Sequence, residues 1–208
     1  RNIAAPVTLV GYCLGGTMAI AAANLVEVEQ VVTLAAPWRF GRYPEESKRA
    51  LQDMWNHSQV AAKALGALPM EVLQAAFWSL DPERTVRKFA EFGRLDPEGA
   101  DARRFIELEE WANEGEPLPY PAARELVEDL FAMDLPGSGS WSVGARPVSD
   151  SLPCSSLHLT AERDLIAPPQ TAANGNVVAI PSGHVGMIVG SARAALHEQL
   201  KAFLTPCR

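Results

Sequence analysis

A stretch without charged residues near the start of the chain constrains the fold more than any other feature. No Asp, Glu, Lys or Arg occurs from Ile3 to Val26, which is long enough to suggest a membrane span. Glycine, proline and polar residues interrupt the stretch, and its β-branched first part gives way to alanine-rich sequence. A buried strand at residues 7–10 followed by a buried helix at residues 17–25 explains this pattern better than a membrane span or a secretory signal.

The turn between this strand and this helix has the form Gly-x-nucleophile-x-Gly, because residues 11–16 read GYCLGG. Such a turn lifts a nucleophile to the carboxyl edge of a sheet, and glycines two residues to either side of Cys13 leave room for neighbouring backbone. The backbone N–H of Leu14 and the helix N-terminus would then face a developing oxyanion and favour the Cys13 thiolate. A buried structural cysteine is the alternative. A dinucleotide-binding turn fits less well because its G-x-G start is missing.

The rest of the chain contains strand segments and, between them, a block of helical segments. Strands are predicted at residues 30–35, 152–160 and 175–180, and a closing helix at residues 187–204. Predicted helices in between cover residues 47–67, 70–80, 85–92, 101–116 and 122–133. The fold class is therefore α/β, with an α/β-hydrolase-like, mostly parallel sheet of about four strands. Residues 1–38 and 142–208 would form this core, and residues 39–141 would be a helical cap inserted into it.

An acid and a base follow the two last predicted strands. Asp164 comes after the third strand and His184 after the fourth, so both should lie on the same sheet edge as Cys13. The order nucleophile, acid, base is that of the α/β-hydrolase triad. His184 would deprotonate Cys13, and Asp164 would fix the tautomer of the imidazole. Trp38, directly after the second strand, is the tryptophan that we expect near a substrate. No metal site is expected, because no histidine pair has ligand spacing.

Composition excludes some partners. The chain carries 18 basic and 25 acidic residues in interspersed order, for a net charge of −7, and a nucleic-acid binder would need a basic face. The three cysteines, Cys13, Cys154 and Cys207, form no CxxC pair. An odd number of unpaired thiols predicts a reduced, cytoplasmic protein.

Taken together, these motifs resemble the polyhydroxyalkanoate synthases, a polyester-forming branch of the α/β-hydrolase superfamily. The matching segments are GYCLGGT with cysteine in a lipase-like box, LAAPWRF, residues 109–136, ERDLIAPP and SGHVG. The resemblance implies that Cys13 is acylated by a 3-hydroxyacyl-CoA, with release of CoA, and that Asp164 and His184 promote attack by a chain hydroxyl. Acyl-CoA is then a substrate, and no cofactor is expected. A homodimer and attachment to a polyester granule are compatible with this reading.

Two alternatives stay open. Leu165 and Pro169 stand where that family usually has histidine and tryptophan, so a cysteine hydrolase of the dienelactone hydrolase or esterase type is one alternative. The long separation of Cys13 and Asp164 favours the synthase. A catalytically inert interaction module is the other, because the sequence begins almost on the nucleophile strand, where this fold has earlier strands. We therefore expect a fragment or a reduced homologue, with that strand at an exposed sheet edge.

Overall fold

The computed structural model describes residues 7–205. The chain divides into two compact units. The sheet unit comprises Arg1–Pro44 and Asp129–Arg208, and the helical unit comprises Glu45–Glu128. All of the helical unit falls inside the segment 39–141 that the sequence predicts as an insertion.

A four-stranded parallel sheet organises the sheet unit, as the fold-class prediction requires. Its strands in spatial order are β1 (Thr8–Tyr12), β2 (Gln30–Leu34), β3 (Ser155–Ala161) and β4 (Val177–Ile180). All three pairings are parallel, so the carboxyl ends of the strands meet at one edge of the sheet. Among the described residues, β1 is an edge strand.

One hydrophobic core stabilises this sheet. Helix α1 (Leu14–Ala23) follows β1 and is made largely of small residues, so its backbone approaches the sheet closely. The core consists of apolar side chains from the strands and the C-terminal segment: Val32, Leu34, Ala35, Leu157, Leu159, Ala161, Ile180, Met187 and Leu196. Burial of such side chains supplies the main favourable free energy of folding.

The helical unit has its own smaller core. Its helices are α2 (Glu45–Leu65), α3 (Met70–Ser79), α4 (Pro82–Phe92), α5 (Ala100–Asn113) and α6 (Tyr120–Arg124). Two-residue strands Ala67–Leu68 and Leu118–Pro119 pair antiparallel. The buried side chains are Trp55, Ala62, Leu68, Ala123 and Val127. A π-helical segment, Glu125–Ala132, follows α6 directly, where the sequence predicts one regular helix.

Helical spacing in residues 101–116 predicts a buried stripe of Phe105, Leu108 and Trp111 along α5, and this prediction is only partly correct. Phe105 packs against Phe92, with ring centroids 4.4 Å apart, but Trp111 is 55% exposed. The buried residue of this helix is Ala102. The contacts of α4 with α5 fall at Phe105 and Glu109, and Trp111 lies beyond them.

The sheet unit also contains further helices, turns and a pair of two-residue strands. They are α7 (Leu135–Ser138), α8 (Gly186–Val189), α9 (Arg193–Leu204), the 3₁₀ turns Phe40–Arg42 and Pro169–Thr171, and the paired strands Ser142–Val143 and Arg146–Pro147. The single closing helix predicted for residues 187–204 is wrong, because Gly190 is extended (φ −91°, ψ −166°) and separates α8 from α9. A Cβ there would lie 2.6 Å from the carbonyl oxygen of Gly186.

Within residues 7–205, no helix has the length and apolar character that crossing a membrane requires.

Candidate active site

Cys13 occupies a strained turn between β1 and α1. Its φ of 54° and ψ of −132° lie in a region that residues with a Cβ rarely adopt, and such strain clusters at functional sites. The Cys13 N–H donates to the carbonyl of Leu34 at 2.9 Å, and the Cys13 carbonyl accepts from Gly16 at 2.9 Å. Main-chain hydrogen bonds on both sides therefore hold the residue in the geometry expected of a nucleophile elbow.

Close contacts explain why two residues of this turn are glycine. The sequence suggests Gly11 and Gly15, whereas the crowded positions are Gly11 and Gly16. A Cβ on Gly11 would lie 2.3 Å from the carbonyl oxygen of Gly15, and one on Gly16 would lie 2.3 Å from Cβ of Ala36. A Cβ on Gly15, by contrast, meets nothing within 4 Å. The expectation that Gly15 is required for steric reasons is wrong, because the close approach falls one residue later.

An acid and a base lie beside this turn. Nδ1 of His184 is 2.6 Å from Oδ2 of Asp164. The other carboxylate oxygen of Asp164 accepts the N–H groups of Ile166 at 2.8 Å and Ala167 at 2.9 Å. These bonds fix the carboxylate in place, so the carboxylate can hold the imidazole with a proton on Nδ1 and leave Nε2 to exchange a proton with another group.

The electrostatics of His184 depend on both Cys13 and Asp164. Burial lowers the pKa of the imidazole, but hydrogen bonds with Asp164 and Cys13, together with their negative charges, outweigh burial and raise it to about 9. Cys13 is thus close enough to the imidazole to affect its pKa. A histidine with this pKa is charged at neutral pH and can stabilise a neighbouring thiolate.

Tyr12 is a neighbour of the site that the sequence analysis overlooked. Its ring packs against the imidazole of His184, with centroids 4.8 Å apart. Its hydroxyl is buried and has no hydrogen-bond partner within residues 7–205. Burial raises the pKa of this phenol, and the negative charges of Cys13 and Asp164 add to the effect. Its position directly before the nucleophile is the signal that could have drawn attention to it.

The remaining predicted site residues lie as follows. Leu14 is the first residue of α1, and the first N–H groups of a helix have no acceptor within that helix. Trp38 is 1% exposed and packs against Trp141 at 5.7 Å between centroids. Substrate binding by Trp38 stays a prediction, and it requires the indole to become accessible. Cys154 is a free thiol, whereas Cys207 lies outside the described residues.

The other histidines lie apart from this arrangement. His158 is buried in β3, with Nδ1 2.8 Å from the Thr33 hydroxyl. His57 is exposed on α2 and contacts the carbonyl of Asp53. His197 is exposed on α9.

Comparison with known proteins gives distant relatives. No protein-family model matches the sequence. The chain is 23% identical to the poly(3-hydroxyalkanoate) polymerase subunit PhaC of Haloferax mediterranei, over 89% of this chain and 40% of that protein. It is 26% identical to the corresponding subunit of Synechocystis, over 88% of this chain and 53% of that protein. The chain thus spans about half the length of these curated relatives.

Solved structures agree on the fold. A hydrolase from Pseudomonas aeruginosa superposes with a TM-score of 0.54 and 15% identity, covering 97% of this chain and 65% of that chain. At such low identity the superposition shows a shared fold and gives no information about activity. The chain has an α/β-hydrolase fold and is a distant homologue of the polyhydroxyalkanoate polymerase subunits.

Proposed function

We propose that this chain carries an acyl-transfer centre in which Cys13 accepts the acyl group of a 3-hydroxyacyl-CoA and passes it to a hydroxyl. The observation that carries the proposal is the cluster at the carboxyl end of the sheet. A cysteine on a strained turn raises the pKa of a buried histidine, and Nδ1 of this histidine is 2.6 Å from a buried carboxylate. The similarity to polyhydroxyalkanoate polymerase subunits supports the choice of substrate.

In the first half-reaction the Cys13 thiolate attacks the thioester carbonyl. The N–H of Leu14 and the N-terminus of α1 would stabilise the oxyanion of the tetrahedral intermediate. The C–S bond to CoA then breaks, and the CoA thiolate takes the proton of the His184 imidazolium. The products are free CoA and a Cys13 thioester, with His184 left neutral.

In the second half-reaction a hydroxyl group attacks the Cys13 thioester. Neutral His184 removes the hydroxyl proton through Nε2, while Asp164 stabilises the imidazolium that forms. Collapse of the intermediate forms an ester and expels the Cys13 thiolate, which restores the starting ion pair. A growing polyester chain with a terminal hydroxyl would be elongated by one unit.

A hydrolase is the second candidate, because Leu165 and Pro169 stand where the synthase family usually has histidine and tryptophan. The two candidates share the first half-reaction and differ only in the acceptor, which is water in the hydrolase. The third possibility, an inert interaction module, predicts no covalent chemistry at Cys13 at all.

The test is incubation of the 208-residue chain with 3-hydroxybutyryl-CoA, followed by assay of free CoA and intact mass. We expect CoA release with an acyl adduct on Cys13, and loss of both in Cys13→Ala. Cys154→Ala is the matched control, because this second free thiol should leave the adduct unchanged. Soluble oligomers of 3-hydroxybutyrate indicate transfer to a hydroxyl, free monomer indicates hydrolysis, and absence of any adduct contradicts the proposal.

A further inference from the structure

Tyr43 belongs to a loop that contacts the segment directly after the acid of the proposed site. The residue follows the 3₁₀ turn Phe40–Arg42 after β2 and is 7% exposed. Its ring packs against Phe131, at 4.8 Å, and Phe40, at 6.1 Å between centroids. These aromatic contacts fix the direction of the phenol.

The hydroxyl of Tyr43 donates a hydrogen bond of 2.8 Å to the carbonyl of Ile166. That carbonyl belongs to the same peptide unit as the N–H of Ala167, which donates to Oδ1 of Asp164 at 2.9 Å. A peptide unit is planar and rigid. A donor on its oxygen therefore orients its N–H towards the carboxylate.

The chain of contacts continues to the base. Oδ2 of Asp164 is the atom 2.6 Å from Nδ1 of His184. One line of hydrogen bonds thus runs from the phenol through the Ile166–Ala167 peptide and the carboxylate to the imidazole. Within the described residues, the groups that act directly on the imidazole are Tyr12, Cys13 and Asp164, and Tyr43 is connected to it through Asp164.

We propose that Tyr43 is a positioning residue, whose hydroxyl holds the Ile166–Ala167 peptide so that Asp164 keeps its orientation towards His184. Burial raises the pKa of Tyr43, and the negative charges of Cys13 and Asp164 add to this. The phenol therefore stays protonated and remains a donor over the range in which His184 titrates. The inference rests on the proposed function only for its kinetic readout.

The first experiment is an NMR titration of the His184 imidazole in the unsubstituted chain and in Tyr43→Phe. The variant keeps the ring and its contacts with Phe40 and Phe131 but removes the donor. A hydrogen bond of ordinary strength, transmitted in part through the carboxylate, should lower the His184 midpoint by about half a pKa unit. Tyr120→Phe is the control, because Tyr120 lies in the helical unit, and it should titrate like the unsubstituted chain.

The second experiment measures acylation of Cys13 by 3-hydroxybutyryl-CoA in the same three proteins. We expect Tyr43→Phe to slow the step by about threefold to tenfold, since a hydrogen bond of ordinary strength corresponds to such a factor, and to leave KM unchanged. Thermal unfolding of each variant identifies any loss of fold.

The outcomes separate the two proposals. A midpoint shift without acylation in any protein leaves the positioning role standing and contradicts the proposed function. Acylation in the unsubstituted chain, with an unshifted His184 midpoint in a folded Tyr43→Phe, overturns the positioning role alone.

Discussion

Nδ1 of His184 lies 2.6 Å from Oδ2 of Asp164, and solvent reaches 8% of the histidine side chain and none of the aspartate side chain. A carboxylate in such a setting requires compensation for lost hydration. The N–H groups of Ile166 and Ala167 supply it on one oxygen, and the imidazole supplies it on the other. The pair therefore behaves as a unit, and a change in either partner should affect both stability and chemistry.

Replacement of the acid tests the role of this pair in acyl transfer. Asp164→Asn keeps the shape of the side chain but no longer favours the proton on Nδ1, so we expect Cys13 acylation to slow by about 10² to 10⁴. Single-turnover release of CoA is the measurement. Asp53→Asn, at an exposed position in the helical unit, should leave the rate unchanged, and an equal loss in both variants would contradict the assignment.

The raised pKa of His184 makes stability depend on pH. The folded-state pKa is about 9, above the unfolded value of about 6.5. The stabilisation is therefore complete below pH 6.5 and lost as the pH rises through about 9. Relative to His184→Gln, the free energy of unfolding should fall by about 1–3 kcal/mol between pH 6 and pH 10.

Urea unfolding of both proteins across that pH range checks this expectation. Cys13→Ala serves as an intermediate variant, because it removes a hydrogen bond and a charge that raise the histidine pKa but retains Asp164. A constant difference between the unsubstituted chain and His184→Gln at every pH would show that the imidazole does not titrate with a raised pKa.

The crowded turn around Cys13 predicts opposite effects for neighbouring glycines. Gly11→Ala and Gly16→Ala place a methyl group 2.3 Å from fixed atoms, and we expect each to lower the free energy of unfolding by about 3 kcal/mol. Gly15→Ala meets nothing within 4 Å and lies in α1, so it should raise the free energy of unfolding by about half a kcal/mol. Equal losses at all three positions in urea unfolding would be inconsistent with these contacts.

Removal of the Tyr12 hydroxyl and removal of the Tyr43 hydroxyl should change the free energy of unfolding in opposite directions. The Tyr12 hydroxyl is buried without a partner within residues 7–205, so Tyr12→Phe should raise the free energy of unfolding by about 1 kcal/mol. The Tyr43 hydroxyl donates to Ile166, so Tyr43→Phe should lower it by a similar amount. Thermal and urea unfolding of the two variants give the comparison, and destabilisation by Tyr12→Phe would reveal a partner for its hydroxyl.

The sheet could be predicted from sequence because short apolar runs bounded by turns mark strands that are covered on both faces. The four strands differ from their predicted bounds by only a few residues at their ends. Cys13, Asp164 and His184 could be proposed because each follows a strand, and parallel strands end at one edge. These inferences depend on local sequence and simple topology alone.

Other features depend on contacts that no local pattern encodes. Tyr43 meets Ile166 across a separation of more than a hundred residues, and although Ile166 lies in the segment ERDLIAPP, nothing in that segment points to Tyr43. The break at Gly190 reflects the close backbone approach of Gly186, because the surrounding apolar spacing is helical on both sides. Trp111 lies beyond the contacts of α4 with α5 at Phe105 and Glu109, and the spacing of apolar residues does not show where those contacts end.

Main-chain atoms of Leu34 and Gly16 hold Cys13 in its turn, and neither contact involves the sulfur. The geometry of this turn therefore does not depend on whether the side chain of residue 13 ends in sulfur or in oxygen. A serine at position 13 would have the same backbone geometry. A single substitution can therefore change the nucleophile from sulfur to oxygen without a change in the surrounding backbone. Descendants of such a fold can diverge in their covalent intermediates while their architecture stays constant.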